Sequence, residues 1–177
     1  MKFNRLGWLT LFLAACLGIW VVLLAVAQSY REPPNYTRIE DILYLGGFVE
    51  RPPPKTTAVC NLCETEDPYQ CDHHAWHPIR DAAPAPSLDW LTEQVKFIET
   101  QRMAGRTIFV HCLNGVSRGP TVMAGYLMVK NNWTRDEALD YLREKRPQVR
   151  PNPAFMDLLN EWEQASREAP APARISP

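Results

Sequence analysis

The spacing of hydrophobic and polar positions divides the chain into three parts. Residues Leu6 to Ala27 form one apolar stretch without a charged residue or a proline. Short apolar runs bounded by Gly and Pro follow, and from Ser87 onward apolar residues recur every three or four positions. Short runs favour strands, and the wider spacing favours helices. The pattern therefore predicts an apolar N-terminal segment, then strands, then helices with one strand between them.

The apolar N-terminal stretch is long enough to cross a membrane, because about 20 apolar helical residues span the hydrocarbon core. Lys2 and Arg5 precede it, and Ala25-Val26-Ala27 resembles a signal-peptide cleavage site. Its length exceeds the roughly 7–15 apolar residues of a signal peptide. This favours a single-pass transmembrane helix over an exported protein with a cleaved signal helix. We expect residues 1–36 to be this membrane segment and a linker. Basic residues flank both sides, so the orientation in the membrane stays open.

The middle of the chain holds the predicted strands. "IEDILYLGG" is read as one strand with a glycine turn, and "TTAVCNL" as a short buried strand. "CETEDPYQCDHHAW" is polar and is predicted to be a loop, and "HPIRDAAPAP" a brief extended piece followed by a proline-rich loop. "RTIFV" is predicted to be a buried strand that ends at His111-Cys112.

Helix signals surround that last strand. Ser87 is a plausible N-cap, and Gly105 suits the end of the helix that follows it. A largely apolar helix follows Arg118, and Thr134 to Glu137 match a capping box that opens another helix. The last helix runs from Asn152-Pro153 to about Arg167. These elements predict a three-layer α/β domain over residues 37–167 and a disordered tail over residues 168–177.

Composition excludes some classes of protein. The 177 residues carry 19 Lys and Arg against 20 Asp and Glu, a net charge of −1 without a basic stripe, so no nucleic-acid partner is expected. Five cysteines are too few for a disulfide scaffold in a chain of this length.

The stretch "HCLNGVSRG", residues 111–119, carries the chemistry. If the strand ends at Cys112 and a helix begins near Arg118, the loop between them presents backbone N–H groups that bind anions. Gly115 permits backbone angles that such a loop needs. The Arg118 guanidinium offers a planar fork to two phosphate oxygens. We therefore expect phosphate to bind at these residues: Leu113, Asn114, Gly115, Val116, Ser117 and Arg118.

The same surroundings favour the thiolate form of Cys112, because a helix N-terminus and an arginine stabilise negative charge on sulfur. A thiolate is a nucleophile, and oriented donors stabilise the negative charge that develops during attack on phosphorus. The loop therefore predicts a nucleophilic attack by Cys112 on a bound phosphate.

His111-Cys112, five further residues and Arg118 resemble the signature of the cysteine-based protein tyrosine phosphatase superfamily. The short length and the later "RPQVRPNPAF" resemble its dual-specificity branch, over about residues 39–162. The resemblance implies a central mixed sheet flanked by helices, catalytic Cys112 and Arg118, and a supporting His111. It implies no metal and no cofactor. It also implies a phosphocysteine intermediate and phosphotyrosine, phosphoserine or phosphothreonine proteins as substrates.

The resemblance also implies a general acid, which protonates the leaving oxygen. Asp81 matches the position where the family places this residue. Asp89 is the rival, but it lies in the first turn of a helix, where a carboxylate interacts with the helix dipole. Asp67 and Asp72 lie earlier, in the polar loop. Asn152 resembles an asparagine that supports the loop, and it is also a plausible N-cap.

Gly119 departs from the family pattern, which has Ser or Thr directly after the arginine. That hydroxyl helps the thiolate to leave when the phosphocysteine breaks down. We therefore expect an active enzyme with slow turnover of its intermediate, unless Ser117 replaces the missing hydroxyl.

Three alternatives stay open. Cys60 and Cys63, with Cys71 and nearby histidines, partly match zinc-ligand spacing, although Cys60 also suits the core and Cys63 could pair with Cys71 outside the cytoplasm. The substrate could instead be a lipid or RNA phosphate. The chain could also be a phosphate-binding pseudophosphatase, with Gly119 as the supporting feature.

Overall fold

The computed structural model describes the backbone of residues 5–29 and 34–168, and the side chains of residues 12–24 and 34–168. The chain consists of two units, and the boundary between them in the sequence lies between Pro34 and Asn35. The predicted boundaries after residues 36 and 167 stay predictions. The predicted tail, apart from Glu168, lies outside the described residues, as does part of the predicted linker.

The first unit contains helix α1, Arg5–Ser29. Its large apolar side chains between residues 12 and 24, among them Phe12, Trp20 and Leu23, are exposed. Within the described residues, no helix is both long and apolar enough to cross a membrane.

The second unit contains five strands and four helices in its described residues. The strands are β1 (Tyr36–Glu40), β2 (Leu43–Gly46), β3 (Thr56–Asn61), β4 (His73–Trp76) and β5 (Thr107–His111). The helices are α2 (Leu88–Met103), α3 (Arg118–Asn131), α4 (Arg135–Lys145) and α5 (Pro153–Glu168).

The strands form one mixed sheet in the order β1-β2-β5-β3-β4. β1 and β2 are antiparallel, and the remaining neighbours are parallel. His111, at the end of β5, pairs with Gly46 of β2 and Asn61 of β3. The carboxyl ends of three neighbouring strands therefore meet at one edge of the sheet, where α/β proteins commonly bind ligands.

The main core lies between the sheet and the helices. Helix α3 is at its centre: residues 118–128 are all buried, and the helix packs on α2, α4, α5 and the sheet. On the opposite face of the sheet, Val59, Phe109 and His111 are buried as well. The prediction of a three-layer α/β fold with a mixed central sheet and flanking helices is confirmed.

The predicted helix starts are confirmed in detail. The Ser87 hydroxyl accepts a hydrogen bond from the N–H of Trp90 at 3.2 Å. Thr134 and Glu137 form both hydrogen bonds of a capping box. These side chains satisfy N–H groups that a helix cannot satisfy itself, so the local sequence is sufficient to fix where α2 and α4 begin.

Two strand predictions are wrong. "IEDILYLGG" is not one strand, because the chain turns at Asp41-Ile42 and forms the β1–β2 hairpin. Residues 73–76, predicted as loop, form the edge strand β4. Its sequence, His-His-Ala-Trp, has no apolar alternation to indicate a strand, and its pairing with β3 depends on tertiary contacts.

Candidate active site

The loop over residues 112–117 connects β5 to α3 at the carboxyl edge of the sheet. Cys112 is 1% exposed and its N–H donates to the Gly46 carbonyl at 3.3 Å. Arg118 is the first residue of α3, as predicted. The predicted nucleophile and the predicted phosphate-binding residues therefore lie together in one strand–loop–helix unit.

The five carbonyl groups of residues 113–117 in this loop accept hydrogen bonds from other parts of the protein. The Leu113 carbonyl accepts from the N–H of Phe48 at 2.9 Å, and the Val116 carbonyl accepts from the N–H of Arg150 at 2.7 Å. The Ser117 carbonyl accepts from the N–H of Thr121 at 3.0 Å, inside the first turn of α3. Segments distant in sequence thus hold the loop at both ends.

Arg146 binds the remaining two carbonyls, in the middle of the loop. Its Nε donates to Gly115 at 2.9 Å and its Nη2 to Asn114 at 3.0 Å. The same guanidinium donates to the side chains of Asn35 at 2.7 Å and Thr37 at 3.3 Å. Burial lowers the pKa of Arg146, and the neighbouring charge of Cys112 partly opposes this shift.

This arrangement leaves the backbone N–H groups of the loop available. Among the described residues, no partner accepts from the N–H groups of residues 113–117. Gly115 has φ +66°, and a Cβ there would overlap the Gly46 backbone and the Arg146 guanidinium. A turn with its carbonyls bound outward and its N–H groups free is an anion-binding nest.

Arg118 lies at the same site and is 5% exposed. Its Nη1 donates to the Ile79 carbonyl at 2.8 Å and to the Leu62 carbonyl at 3.3 Å. Its Nε is buried and has no hydrogen-bond partner among the described residues. The Glu64 carboxylate lies 4.0 Å from Nη1, and the Asp81 carboxylate 3.8 Å from Nε. A buried donor without a partner costs free energy that a bound anion would recover.

Asp81 lies beside the loop, where two side chains hold it. Its Oδ1 accepts from the Ser117 hydroxyl at 2.6 Å and from Nδ2 of Asn152 at 2.8 Å. The Asn152 N–H donates to the Ser117 hydroxyl at 3.0 Å, and its Oδ1 accepts from the N–H of Phe155 at 3.0 Å. Asn152 therefore contacts the site and also caps α5. Oδ2 of Asp81 is the oxygen that faces Arg118.

The other candidate carboxylates are elsewhere. Asp89 lies in the first turn of α2, and Asp72 is exposed. Asp67 is buried behind the sheet, where one of its oxygens contacts His111 and His74. Of the four carboxylates considered from the sequence, Asp81 is the one that the structure brings to the loop.

Gly119 lies against the nucleophile. A Cβ at this position would be 3.7 Å from Sγ of Cys112 and 3.1 Å from Cδ1 of Leu45. The hydroxyl of Ser117 hydrogen-bonds to Asp81 and Asn152, not to Cys112. In this structure Ser117 therefore does not replace the hydroxyl that position 119 lacks.

Sequence reasoning missed Arg146, Asn35 and Arg150. Arg146 follows α4 and precedes Pro147, where a cation is ordinary at the end of a helix. In the structure Arg146 is only 2% exposed, and this burial identifies it as the residue that holds the loop carbonyls. No spacing in the sequence indicates this, because its partners lie about 30 and more than 100 residues away.

The cysteines outside the loop are free thiols. Burial raises the pKa of Cys60 and of Cys63 to about 12, with the charge of Cys112 adding to the shift at Cys63. Cys63 and Cys71 are not joined by a disulfide. Among the described side chains, no three His, Cys, Asp or Glu residues are grouped so that they could hold a metal ion.

Comparison with known proteins agrees with this geometry. The family model "Dual specificity phosphatase, catalytic domain" matches residues 54–165, more than half of the chain. Human dual specificity protein phosphatase 16 is 34% identical over 103 residues, which are 58% of this chain and 16% of that protein. Human dual specificity protein phosphatase 5 is 36% identical over 91 residues, 51% of this chain and 24% of that protein.

Among solved structures, human DUSP28 superposes with a TM-score of 0.69 at 25% identity, covering 77% of this chain and 97% of that one. The matched region spans about a quarter or less of the two curated relatives. The loop, its bound carbonyls and the family match agree, and the chain belongs to the dual specificity phosphatase family through its catalytic domain.

Proposed function

We propose that this protein is a cysteine-dependent phosphomonoester hydrolase that acts on phosphotyrosine, phosphoserine or phosphothreonine in proteins. One observation carries the proposal: all five carbonyls from Leu113 to Ser117 are bound away from the pocket. Beside them lie the buried Cys112 and the Nε of Arg118, which has no partner in the described part of the chain. A phosphate in this nest would receive the N–H groups and the guanidinium together.

The first step follows from these positions. The Cys112 thiolate forms an S–P bond as the P–O bond to the leaving group breaks. Asp81 transfers its proton to the leaving oxygen. The proton is placed on Oδ2, because Oδ1 already accepts two hydrogen bonds. Arg118 and the loop N–H groups stabilise the charge on the phosphoryl oxygens.

The second step returns the enzyme to its starting state. Water forms a new P–O bond, its proton moves to Asp81, and the S–P bond breaks to release phosphate and the Cys112 thiolate. The hydroxyl that would stabilise this departing sulfur in relatives is absent at Gly119. Breakdown of the phosphocysteine is therefore the slow step of the proposed cycle.

The substrate class is a protein rather than a strongly anionic headgroup. The loop sequence Leu-Asn-Gly-Val-Ser contains no positive charge, and Glu64 places a carboxylate 4.0 Å from Arg118. Additional phosphates would meet this negative charge without a compensating cation from the loop. The relatives are named as protein phosphatases, and neither a lipid or RNA phosphatase nor a pseudophosphatase is favoured.

The decisive experiment is hydrolysis of an aryl phosphate by the full-length chain and its Cys112→Ser variant. We expect release of phosphate that the variant loses, and a matched Cys71→Ser variant with wild-type rates. Equal release by wild type and Cys112→Ser would contradict the proposal. Phosphotyrosine and phosphothreonine peptides, compared with a phosphoinositide, then test the substrate class. A preference for the phosphoinositide would contradict the assignment of proteins as the substrate class.

For residues 1–36 the proposal is single-pass attachment to a membrane, with export after signal cleavage as the alternative. It rests on the uncharged sequence from Leu6 to Ala27. Alkaline extraction of cell membranes tests it: an integral protein stays in the pellet, and release into the supernatant would contradict attachment. Protease accessibility in intact cells then reports the side on which the catalytic domain lies.

A further inference from the structure

A second polar cluster lies behind the loop, on the opposite face of the sheet. The side chain of Asp67 is 0% exposed, and its Oδ2 is 3.2 Å from Nε2 of His111 and 3.0 Å from Nε2 of His74. Its Oδ1 is also buried and has no hydrogen-bond partner among the described residues. The chemical steps proposed above do not use this carboxylate. Burial of a carboxylate is costly, so the contacts it makes need a physical explanation.

The ring of His111 is fixed from several sides. Phe109 stacks on it, with centroids 4.7 Å apart and an interplanar angle of 15°. The Sγ atom of Cys63 lies 3.8 Å from Nδ1, at the nitrogen that Asp67 does not contact. His74, whose side chain is 26% exposed, lies between Asp67 and solvent. The cluster therefore runs from the surface, through Asp67, to the residue directly before Cys112.

The protons in this cluster can be assigned from donor and acceptor capacity. Burial keeps the pKa of the Cys63 thiol at about 12, so at neutral pH this group is an S–H donor. An Nδ1 that accepts from this thiol, and an Nε2 that carries the ring proton 3.2 Å from the Asp67 carboxylate, are the arrangement that gives both contacts a donor and an acceptor. Asp67 is acceptor-only when ionised, so it matches the Nε2–H groups of both His111 and His74.

We propose that Asp67, itself held by His74, is a positioning residue that fixes His111 as its Nε2–H tautomer and thereby fixes the start of the phosphate-binding loop. The backbone on either side of the ring is bound: the His111 carbonyl accepts from Leu62 at 2.9 Å, and the Cys112 N–H donates to Gly46 at 3.3 Å. A ring that rotated or changed tautomer would lose its bond to Cys63 or to Asp67. The displacement would reach the nucleophile through one peptide bond.

The consequence for catalysis rests on the proposed function, whereas the tautomer can be measured without a substrate. The full-length chain contains four histidines, so nitrogen-15 labelling of histidine gives a simple NMR spectrum. We expect wild-type His111 as a single Nε2–H tautomer at neutral pH. Asp67→Ala should convert it to a mixture of tautomers and lower kcat about tenfold, with little change in KM.

Two further variants separate positioning from general loss of stability. Asp67→Asn keeps an acceptor oxygen, so it should keep the Nε2–H tautomer and a kcat closer to wild type than to Asp67→Ala. Asp72→Ala removes an exposed carboxylate from the same segment and should change neither readout. If Asp67→Ala does not fold, the proposal is tested by the tautomers of the wild type and of Asp67→Asn, and both should be Nε2–H.

Three outcomes would overturn the proposal. They are a wild-type His111 in the Nδ1–H form, an Asp67→Ala variant with unchanged tautomer, or a changed tautomer with unchanged kcat. Absence of hydrolysis by the wild type would instead refute the proposed function, and the tautomer of His111 would still report whether Asp67 fixes the ring.

Discussion

Two buried arginines lie on opposite sides of one loop and use their donors differently. Arg146 is outside the loop and donates to the carbonyls of Asn114 and Gly115 and to the side chains of Asn35 and Thr37. Arg118 is inside, donates to two carbonyls with Nη1, and leaves a buried Nε without a partner among the described residues. Their exposures are similar, so burial alone does not separate them.

The difference shows how to distinguish a structural cation from a ligand-binding one. The guanidinium of Arg146 is satisfied by the protein, so its hydrogen bonds stabilise the fold. Arg118 retains donor capacity at the place where the loop N–H groups also lack partners within residues 34–168, so part of its interaction energy is left for a ligand. We therefore expect changes at Arg118 to reduce activity, and changes at Arg146 to reduce stability first.

The largest expected effect is that of Arg118→Lys. A lysine keeps the charge but cannot present a planar fork to two oxygens, so stabilisation of the phosphoryl oxygens is lost. We expect kcat/KM for an aryl phosphate to fall about 10³-fold. The melting temperature should fall less than in Arg146→Met, because only the two bonds from Nη1 to the Ile79 and Leu62 carbonyls are at stake. Steady-state kinetics and a thermal melt of the full-length variant measure both. A wild-type kcat/KM would contradict the assignment of Arg118 to phosphate.

Asp81→Asn has the next largest expected effect. It tests the inner side of the loop, which is the side on which Arg118 and Asp81 lie. An amide can still accept from Ser117 but cannot supply a proton to the leaving oxygen, so we expect kcat/KM, which reports the formation of the phosphocysteine, to fall about 10²-fold. The loss in kcat/KM should be smaller for an aryl phosphate with an acidic phenol, because that leaving group needs less protonation.

Asp89→Asn is the matched control for that experiment. Asp89 lies in the first turn of α2, where its charge complements the helix dipole, so its substitution should leave kcat/KM at the wild-type value. An equal loss of kcat/KM in Asp81→Asn and Asp89→Asn would contradict the choice of Asp81.

Arg146→Met tests the outer side of the loop, where Arg146 binds the carbonyls of Asn114 and Gly115. It removes the hydrogen bonds to Asn114, Gly115, Asn35 and Thr37, and buried groups that lose their partners cost on the order of 1–3 kcal/mol each. Removing the desolvated guanidinium offsets part of that cost. We expect a net loss of about 3 kcal/mol in the free energy of unfolding, and a fall of about tenfold in kcat from a less rigid loop.

A denaturant titration of Arg146→Met beside Arg118→Lys completes the comparison. The contrast predicts a clear loss of stability in the first variant and a much smaller one in the second. If Arg118→Lys were the more destabilised protein, the distinction between a structural and a ligand-binding arginine would be wrong.

The same contrast explains which parts of the molecule the sequence predicts. The inner side is a local unit: the buried strand, Gly115 and the helix after Arg118 follow one another in the chain, so their spacing indicates an anion-binding loop. Local side-chain signals likewise predict the starts of α2 at Ser87 and α4 at Thr134. In each case the interacting groups lie within a few residues of one another.

The outer side could not be predicted, because it is assembled from distant segments. Arg146 reaches a residue more than 100 positions away, and the β1–β2 hairpin and the edge strand β4 also depend on tertiary pairing. Asp67 is a similar case: its segment is polar and loop-like, and only the folded chain places it against His111.

Gly119→Ser has the smallest expected effect and refines the account of the inner side. A Cβ at this position would lie 3.7 Å from Sγ of Cys112, so a hydroxyl there reaches the departing sulfur. The same Cβ would approach Cδ1 of Leu45 to 3.1 Å, a contact that a small movement of the leucine relieves.

One hydrogen bond from the hydroxyl that Gly119→Ser introduces to the leaving thiolate should raise kcat about three- to tenfold. The burst of leaving group expected of the wild type should shrink accordingly. Gly119→Ala is the matched control, because it adds the same Cβ without the hydroxyl and raises helix propensity at least as much as serine does. If Gly119→Ala raises kcat as much as Gly119→Ser, the gain comes from a more rigid start of α3; if neither changes kcat or the burst, breakdown of the phosphocysteine is not the slow step.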